Sequence, residues 1–586
     1  MIRGRRQVAR GRGDENHATA AVAATGDSLR IAGWTLVSRV TGVLRVAAIG
    51  AVLGPTLLGN TFQFTNSLPN LVYYGFLAGS LLSSLLVPSL VVTTDGGRPE
   101  DSARIAGGFL GVAFVGLVGA ACVAVATGPL LLRLGALGTQ TDAVGAAQER
   151  VGRLLLVLVI PQVLLYAVVG TCTAVMNARR RFALAAAAPA LENIGILVVL
   201  GSVAVVFGTA GRVDSVPVGE LVLLGAGATL AVVVHAAVQW WGARRAGVTV
   251  RPRAGWRDPD VTALVRRALP ALALAGVAAL QLLSVLVLSN RVAGGVVAVQ
   301  MGLTFLFFAV ALGAAPVGVS LLPRLARLYA DGDTRGFRDA LVRGVALVLF
   351  VTVPSAVGYV VLARPLAEVV AVGRMDSAGG VQLVATTIAA LAPGIVGEGL
   401  FQLLTQACYA RRDSRAPLRS MAVQAATFAV LASSALVVDP AVVPFVLGLS
   451  FSAATLVGAW HLAARLRRDL GEMGAQLAPC VRRVAAGTAL MAGPAWAVSV
   501  LLPRWVPDRP GWAIAVVTGA VLGAAVFLLL QAWWRAPELA LLTAGLRRST
   551  AGTIAPETIP AETIPPETIP PGTLTPGTLA PRTDPG

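Results

Sequence analysis

The stretch WTLVSRVTGVLRVAAI at residues 34–49 sets two arginines, Arg39 and Arg45, inside an otherwise apolar run. An apolar run of about 20 residues crosses roughly 30 Å of hydrocarbon, so the stretch reads as a membrane span. A charge within such a span is costly unless it meets water or a partner. On a helix turning about 100° per residue, positions six apart point roughly 120° away from each other. The two arginines therefore call for a broad aqueous cavity, or for one of them to snorkel to the headgroups. No acid lies within a turn of either. A local ion pair does not account for them, and an anion from outside the chain does.

The rest of the chain shares that solvent. Of its 586 residues 56% are hydrophobic and 13% charged, with a mean hydropathy of +0.76, too apolar for a soluble multidomain protein. Apolar windows fall approximately at 30–53, 61–93, 105–130, 153–176, 183–208, 217–241, 264–289, 295–321, 342–363, 379–408, 417–438, 441–464, 483–503 and 511–534. The expected fold class is an all-α polytopic membrane protein of about 14 transmembrane helices. Residues 1–27 are polar and Arg-rich, so no cleaved signal peptide is expected.

A net charge of +18 raises the question of nucleic acid. Its distribution answers otherwise. With the amino terminus taken as cytoplasmic, the inside segments hold arginine clusters at 3–12, 179–181, 244–267, 324–343, 411–419 and 465–483. The outside loops hold only scattered ones such as Arg133, Arg212, Arg291, Arg374 and Arg509. This is the positive-inside pattern, which predicts both termini cytoplasmic and an even number of spans; no contiguous basic face for nucleic acid emerges. Cys122, Cys172, Cys408 and Cys480 lie far apart without ligand spacing and read as small apolar residues. His17 is in the tail, and His235 and His461 are placed near cytoplasmic ends of spans with no evident chemistry. Neither a metal site nor a cofactor is expected.

The chain repeats itself. The second span ends SSLLVPSL at 83–90 and the eighth VSLLPRL at 319–325, aligning Pro88 with Pro323; the fourth leaves as TCTAVMNARRRF at 171–182 and the tenth as LLTQACYARRDS at 403–414, aligning Ala178 with Ala410. Two matches at nearly one offset predict two homologous six-span halves in parallel orientation, related by an axis along the membrane normal. The expected organisation is a basic cytoplasmic segment at 1–27, a first half at 28–242 and a cytoplasmic linker at 243–263. A second half at 264–465, two added spans at 483–535 and a disordered Thr/Pro-rich cytoplasmic tail at 549–586 follow.

Catalytic groupings are hard to find. The outside acids Asp142, Glu149, Asp214, Asp376 and Asp508 are scattered, and no nucleophile–base pair or phosphate-cradling loop stands out. Duplicated halves point to a transporter, not an enzyme. The ionisable residues within spans are then the candidates. Besides Arg39 and Arg45, Glu192 in ALENIGI and Glu398 in VGEGLF admit three roles: an ion pair with an arginine across the cavity, a coupling-cation site, or a helix-end carboxylate. Asn66, Asn70, Tyr73 and Tyr74 in TNSLPNLVYYG give the second span a polar stripe around Pro69, suited to lining a cavity.

These residues resemble the MurJ/MviN family of lipid II flippases in the multidrug/oligosaccharidyl-lipid/polysaccharide exporter superfamily. SRVTGVLR at 38–45, SLPNL at 67–71, the VP ending the second span and MNARRRFALAAAAPALENI at 176–194 carry the resemblance, as do SLLPRLARLYADGD at 320–333 and ACYARRDSRAP at 407–417. It covers about residues 28–535. It implies two six-span lobes plus two helices, and a cavity whose arginines on the first, second and eighth spans receive the pyrophosphate of a lipid-linked disaccharide-pentapeptide. Arg39 and Arg45 stand at the two first-span positions. The chain departs from the family pattern at Val46 and Asn60, where acids are usual, and at Tyr73–Tyr74, where a basic pair is usual. It departs again at Ala78, for an acid, and at Gln300–Met301, for an Asp-Arg pair.

The implied function is flipping lipid II from the cytoplasmic to the outer leaflet of a bacterial inner membrane by alternating access. Its partners would be lipid II or a related polyprenyl-pyrophosphate glycolipid, the membrane itself, and cell-wall synthesis proteins met through the tail. The missing charges keep three other readings in view: a non-transporting paralogue acting as an envelope-synthesis scaffold, a flippase for another lipid-linked glycan, and a cation-coupled antiporter using Glu192 or Glu398. The absence of Lys suggests a high-GC bacterial host.

Overall fold

Apolar runs of this length have no water at hand for their main-chain N–H and C=O groups, and the helix satisfies them internally. The computed structural model describes residues 33–76, 86, 90, 99–136, 142–179, 181–209, 212–506 and 508–543; there is no strand among the described residues. In chain order the helices are α1 (Gly33–Leu53), α2 (Leu57–Phe76), α3 (Pro99–Ala136), α4 (Asp142–Val159), α5 (Gln162–Ala178), α6 (Phe182–Val206), α7 (Val218–Arg245), α8 (Pro259–Ser289) and α9 (Gly295–Gly313). Then come α10 (Ala315–Ala330), α11 (Thr334–Val361), α12 (Ala363–Val370), α13 (Ala378–Leu391), α14 (Gly394–Ala410), α15 (Arg415–Ala432), α16 (Val443–Leu470), α17 (Gly474–Trp505) and α18 (Asp508–Trp533).

Among the described residues eleven helical stretches, with α4 and α5 counted together as Ala143–Ala178, are long and apolar enough to cross a membrane, and the pair α13 and α14, bent by 41°, makes twelve when counted as one span. The second expected span begins in α2 and runs on beyond the described residues. The eleventh, α15, starts with Arg415 and Arg419 and is too polar to pass the same test. Proline sets the breaks. Pro161 separates α4 from α5 and Pro393 sits at the bend between α13 and α14, because a proline lacks the N–H that would continue the ladder. The expected fourth and tenth spans are therefore each two helical segments, and the eighth is also broken, at Ala314 just before Pro316. Caps start others: Asp258 before Pro259 accepts from Asp260 N at 3.0 Å, and Asp333 accepts from Gly336 N at 2.8 Å. The expectations for residues 1–27, for Ala78 and Pro88, and for the tail at 549–586 lie outside the described residues.

Small residues bring the helices together, as they do where lipid offers no hydrophobic drive for association. A Cβ on Gly195 would stand 2.6 Å from Ala231, which ties α6 to α7, and one on Gly397 would stand 2.6 Å from Thr455, which ties α14 to α16. The helix α8 packs on α2 and α3 of the first half and on α15 of the second, so it stands between the halves. The pair α17 and α18 packs together, with α17 on α11 and Phe350 meeting Phe527 edge-on at 5.1 Å.

At the arginine-poor end the halves are sewn together. Asn60, fully buried at the start of α2, donates to Val292 O at 2.7 Å and accepts from Val296 N at 3.1 Å. Gln148 donates to Asn290 at 2.8 Å, and Arg374 to Thr209 O at 2.9 Å. Gly294, at φ +78, lies so close to Pro55 that a Cβ would meet it at 2.6 Å. At the arginine-rich end the first half of α1 is largely exposed, as are many residues of α10.

Candidate functional site

Within WTLVSRVTGVLRVAAI at 34–49, one face of α1 gathers the residues that meet a neighbouring helix. Ser38, Thr41, Gly42 and Arg45 follow the i, i+3, i+4, i+7 spacing, and all but the last meet Asn193 of α6. Its amide donates to Ser38 O at 3.1 Å and Thr41 Oγ1 at 3.2 Å, and lies 3.6 Å from where a Cβ on Gly42 would be. One residue earlier on α6 is Glu192. Arg45 Nη1 stands 3.7 Å from Glu192 Oε1.

Glu192 is the hub of this cluster. Tyr166 on α5 donates its hydroxyl to Oε1 at 2.8 Å, and His235 on α7 places Nδ1 2.8 Å from Oε2. A carboxylate only accepts, so Nδ1 carries the proton; Nε2 is buried without a partner. Tyr73 on α2 stacks on Tyr166, with ring centres 5.3 Å apart. Five helices thus converge on one buried acid. Tyr166, Glu192 and His235 are buried, while the Arg45 side chain keeps 20% of its surface and its Nε has no hydrogen-bond partner.

This corrects two expectations. No acid is near Arg45 in sequence, yet its counter-charge comes from within the chain, because helix packing brings α6 beside α1. Glu192, for which an ion pair is one of three roles, stands 3.7 Å from Arg45. His235, expected near a helix end with no chemistry, lies well inside α7 and binds the hub. His461 also has a partner, with Nδ1 2.9 Å from Ser420 Oγ. A search for acids and histidines facing one another across apolar helices is the signal that finds such a site.

The other candidates separate. Arg39 points away and is exposed. Asn66 is buried, with Oδ1 lacking a partner, and Asn70 is half-buried further along α2. The side chain of Tyr74 lies outside the described residues. Glu398 sits half-buried in α14, remote in the fold from the Glu192 cluster. Val46 and Met301, where the resemblance leads one to look for charge, are both buried in a single apolar cluster with Ile49 and Met375. Of the acids expected on the outside, Glu149 pairs with Arg133 and Arg153, Asp214 with Arg212 at 3.1 Å, and Asp376 with Arg509 at 2.6 Å.

The model of one protein family, described as Lipid II flippase MurJ, matches residues 49–510. The match starts just past Arg45, so the two arginines rest on their own motif and geometry. A probable lipid II flippase MurJ of Rhizobium tropici is 25% identical over 512 residues, covering 86% of this chain and 92% of that protein. Its counterpart in Vibrio cholerae is 25% identical over 398 residues, covering 66% and 73%. A solved structure described as lipid II flippase MurJ in an inward closed conformation superposes with a TM-score of 0.64 at 13% identity, covering 86% of this chain and 98% of that one. An inward-facing multidrug resistance transporter of the MATE family superposes with a TM-score of 0.55 at 10% identity, covering 74% and 95%. At such identities the structural likeness shows the fold.

Proposed function

Because the chain belongs to the MurJ family of lipid II flippases, and is on that ground a multi-pass inner-membrane protein, we propose that it carries lipid II from the cytoplasmic to the outer leaflet, with Arg45 and Arg39 taking up the pyrophosphate. One observation carries the reading. Arg45 is a cation inside the bundle whose nearest carboxylate stands 3.7 Å away and is engaged by two other donors, which leaves guanidinium N–H groups unused. A diphosphate offers the acceptors such a fork fits.

The arginine-rich end is taken as cytoplasmic by the positive-inside rule. With the opposite end sewn shut through Asn60, Gln148 and Arg374, the headgroup enters from the cytoplasm and passes Arg39 to reach Arg45. The halves then rock, the seam parts, and the headgroup leaves outward while its isoprenoid stays in lipid. Moving one negative charge outward against an inside-negative potential gains about 2.3 kcal/mol per 100 mV, so no nucleotide is required.

The test is to deplete a cell's own lipid II flippase while expressing this chain, reading lipid II at the outer surface with an externally added enzyme that cleaves it. Wild type restores the signal, and Arg45→Ala abolishes it at equal expression. If Arg45→Ala and Arg39→Ala both restore it fully, the arginines are not the pyrophosphate site. A second reading, the non-transporting scaffold, draws on Val46, Asn60 and Met301 serving as packing at positions where charge is implied; a well-expressed wild type that restores nothing supports it.

A further inference from the structure

We propose that His235 and Tyr166 are positioning residues that hold Glu192 off Arg45 and so keep Arg45 open to the substrate diphosphate. This rests on the reading of Arg45 as the diphosphate site and adds what tunes it. A buried carboxylate beside a half-buried guanidinium ordinarily closes to a hydrogen-bonded pair at about 2.7–2.9 Å. Here the gap is 3.7 Å, and both carboxylate oxygens are already engaged, Oε1 by the Tyr166 hydroxyl and Oε2 by His235 Nδ1. The two donors come from α5 and α7 and between them occupy both oxygens, so the carboxylate is not free to turn and close on Arg45. Arg45 Nε has no hydrogen-bond partner either. The arrangement supplies a counter-charge close enough to make a buried cation tolerable and too constrained to compete fully with an incoming anion.

Removing either donor frees one carboxylate oxygen to close on Arg45. The loss is then repaired by removing the carboxylate's charge. A role in packing alone does not behave this way, since a second substitution in the same cluster adds damage.

The experiment uses the full chain purified in detergent and titrated with farnesyl diphosphate, a soluble prenyl diphosphate, by calorimetry. Size-exclusion profiles check that each variant is folded. Wild type binds and Arg45→Ala does not. His235→Phe and Tyr166→Phe each bind about tenfold more weakly, the factor expected of one charge-assisted hydrogen bond gained by the competitor. Adding Glu192→Gln to either restores wild-type affinity. His235→Asn, whose amide nitrogen falls near the position of Nδ1, binds as wild type does. If Arg45→Ala binds unchanged, the diphosphate reading itself fails. If Arg45→Ala loses binding while His235→Phe and Tyr166→Phe do not, or if Glu192→Gln fails to rescue them, only the positioning role is overturned. Should His235→Phe not fold, Tyr166→Phe with its rescue carries the same decision.

Discussion

Asn60→Asp separates the chemistry of the seam from its shape, because the two side chains are nearly isosteric. Asn60 is fully buried and uses both ends of its amide, Nδ2 to Val292 O at 2.7 Å and Oδ1 from Val296 N at 3.1 Å. An aspartate only accepts. The bond from Val296 N survives, and the negative charge at the first turn of α9 returns about 0.3–1 kcal/mol. Against that, the Val292 carbonyl loses the Asn60 donor and keeps only Gly295 N at 2.8 Å, a loss of about 0.5–1.5 kcal/mol, and faces a carboxylate oxygen at the distance of its former partner. Desolvation of the new charge adds several kcal/mol more before the seam relaxes. A net cost of about 3 kcal/mol shifts the closed-to-open balance more than a hundredfold. The readout is Val297→Cys, a fully buried position beside Gly59, in a background whose four native cysteines are serine, labelled in intact cells by a membrane-impermeant maleimide. Labelling is expected to be slow with Asn60 in place and fast in the Asn60→Asp variant, while Asn60→Leu, which breaks both bonds without adding charge, falls between. Equal labelling and equal melting temperature in all three would refute the claim that this amide holds the seam.

Two further predictions concern the linker. A Cβ on Gly111 would stand 1.8 Å from Arg253 O and one on Gly107 2.3 Å from Arg251 O, so Gly111→Ala must push the linker off α3 and lose the bond from Arg253 N to Gly107 O. The expected cost is about 3 kcal/mol, seen as a lower melting midpoint and faster tryptic cleavage near Arg253; an unchanged cleavage rate contradicts it. Burial presses the Asp258 carboxyl upward, but the bonds from Arg104 and from the N–H groups of Asp260 and Val261, with the Arg104 charge, bring it below its ordinary value overall. A lowered folded value means its stabilisation is present above the unfolded value of about 4 and is lost as pH falls through the folded one. Melting midpoints in detergent should therefore drop more steeply below about pH 4 in wild type than in Asp258→Asn, and parallel curves would show that the pair contributes nothing.

Helix type and placement were legible because hydrocarbon thickness fixes the length of an apolar run, and each described helix overlaps the window that sequence assigned. What could not be read were the internal breaks, since Pro161 ends a helix while Pro189 and Pro354 sit within α6 and α11; the neighbours, not the proline, decide which occurs. At the site, single-helix spacing sets Arg39 and Arg45 on different sides of α1, and only Arg45 joins the Glu192 cluster. That spacing could not pair Arg45 with Glu192, because that contact depends on α6 lying against α1 through Gly42 and Asn193. His235 was missed for the same reason, as was the use of Asn60 as a two-way main-chain partner. Each becomes visible only when a second helix is placed.

On the proposed reading, the distribution of charge along α1 also bears on how an anion moves. Arg39 lies toward the arginine-rich end and is exposed, and Arg45 lies about 9 Å further along the axis. An entering diphosphate meets an unpaired cation first and then one that Glu192 partly holds. Beyond Arg45 the helix offers Val46, Ile49 and Leu53, buried in one cluster with Met301 and Met375, and a Cβ on Gly50 would stand 2.9 Å from Met301 Cε. A charge at 301 would be buried against that glycine with no acid beside it, at a cost of several kcal/mol. Between Arg45 and Leu53 the helix therefore offers no further cation, and the next one among the described residues along it is Arg374, which lies against Gly54 at its far end. Passage past Arg45 must come from the halves parting around the headgroup, with the apolar contacts of Met301 and the main-chain bonds of Asn60 setting the work required.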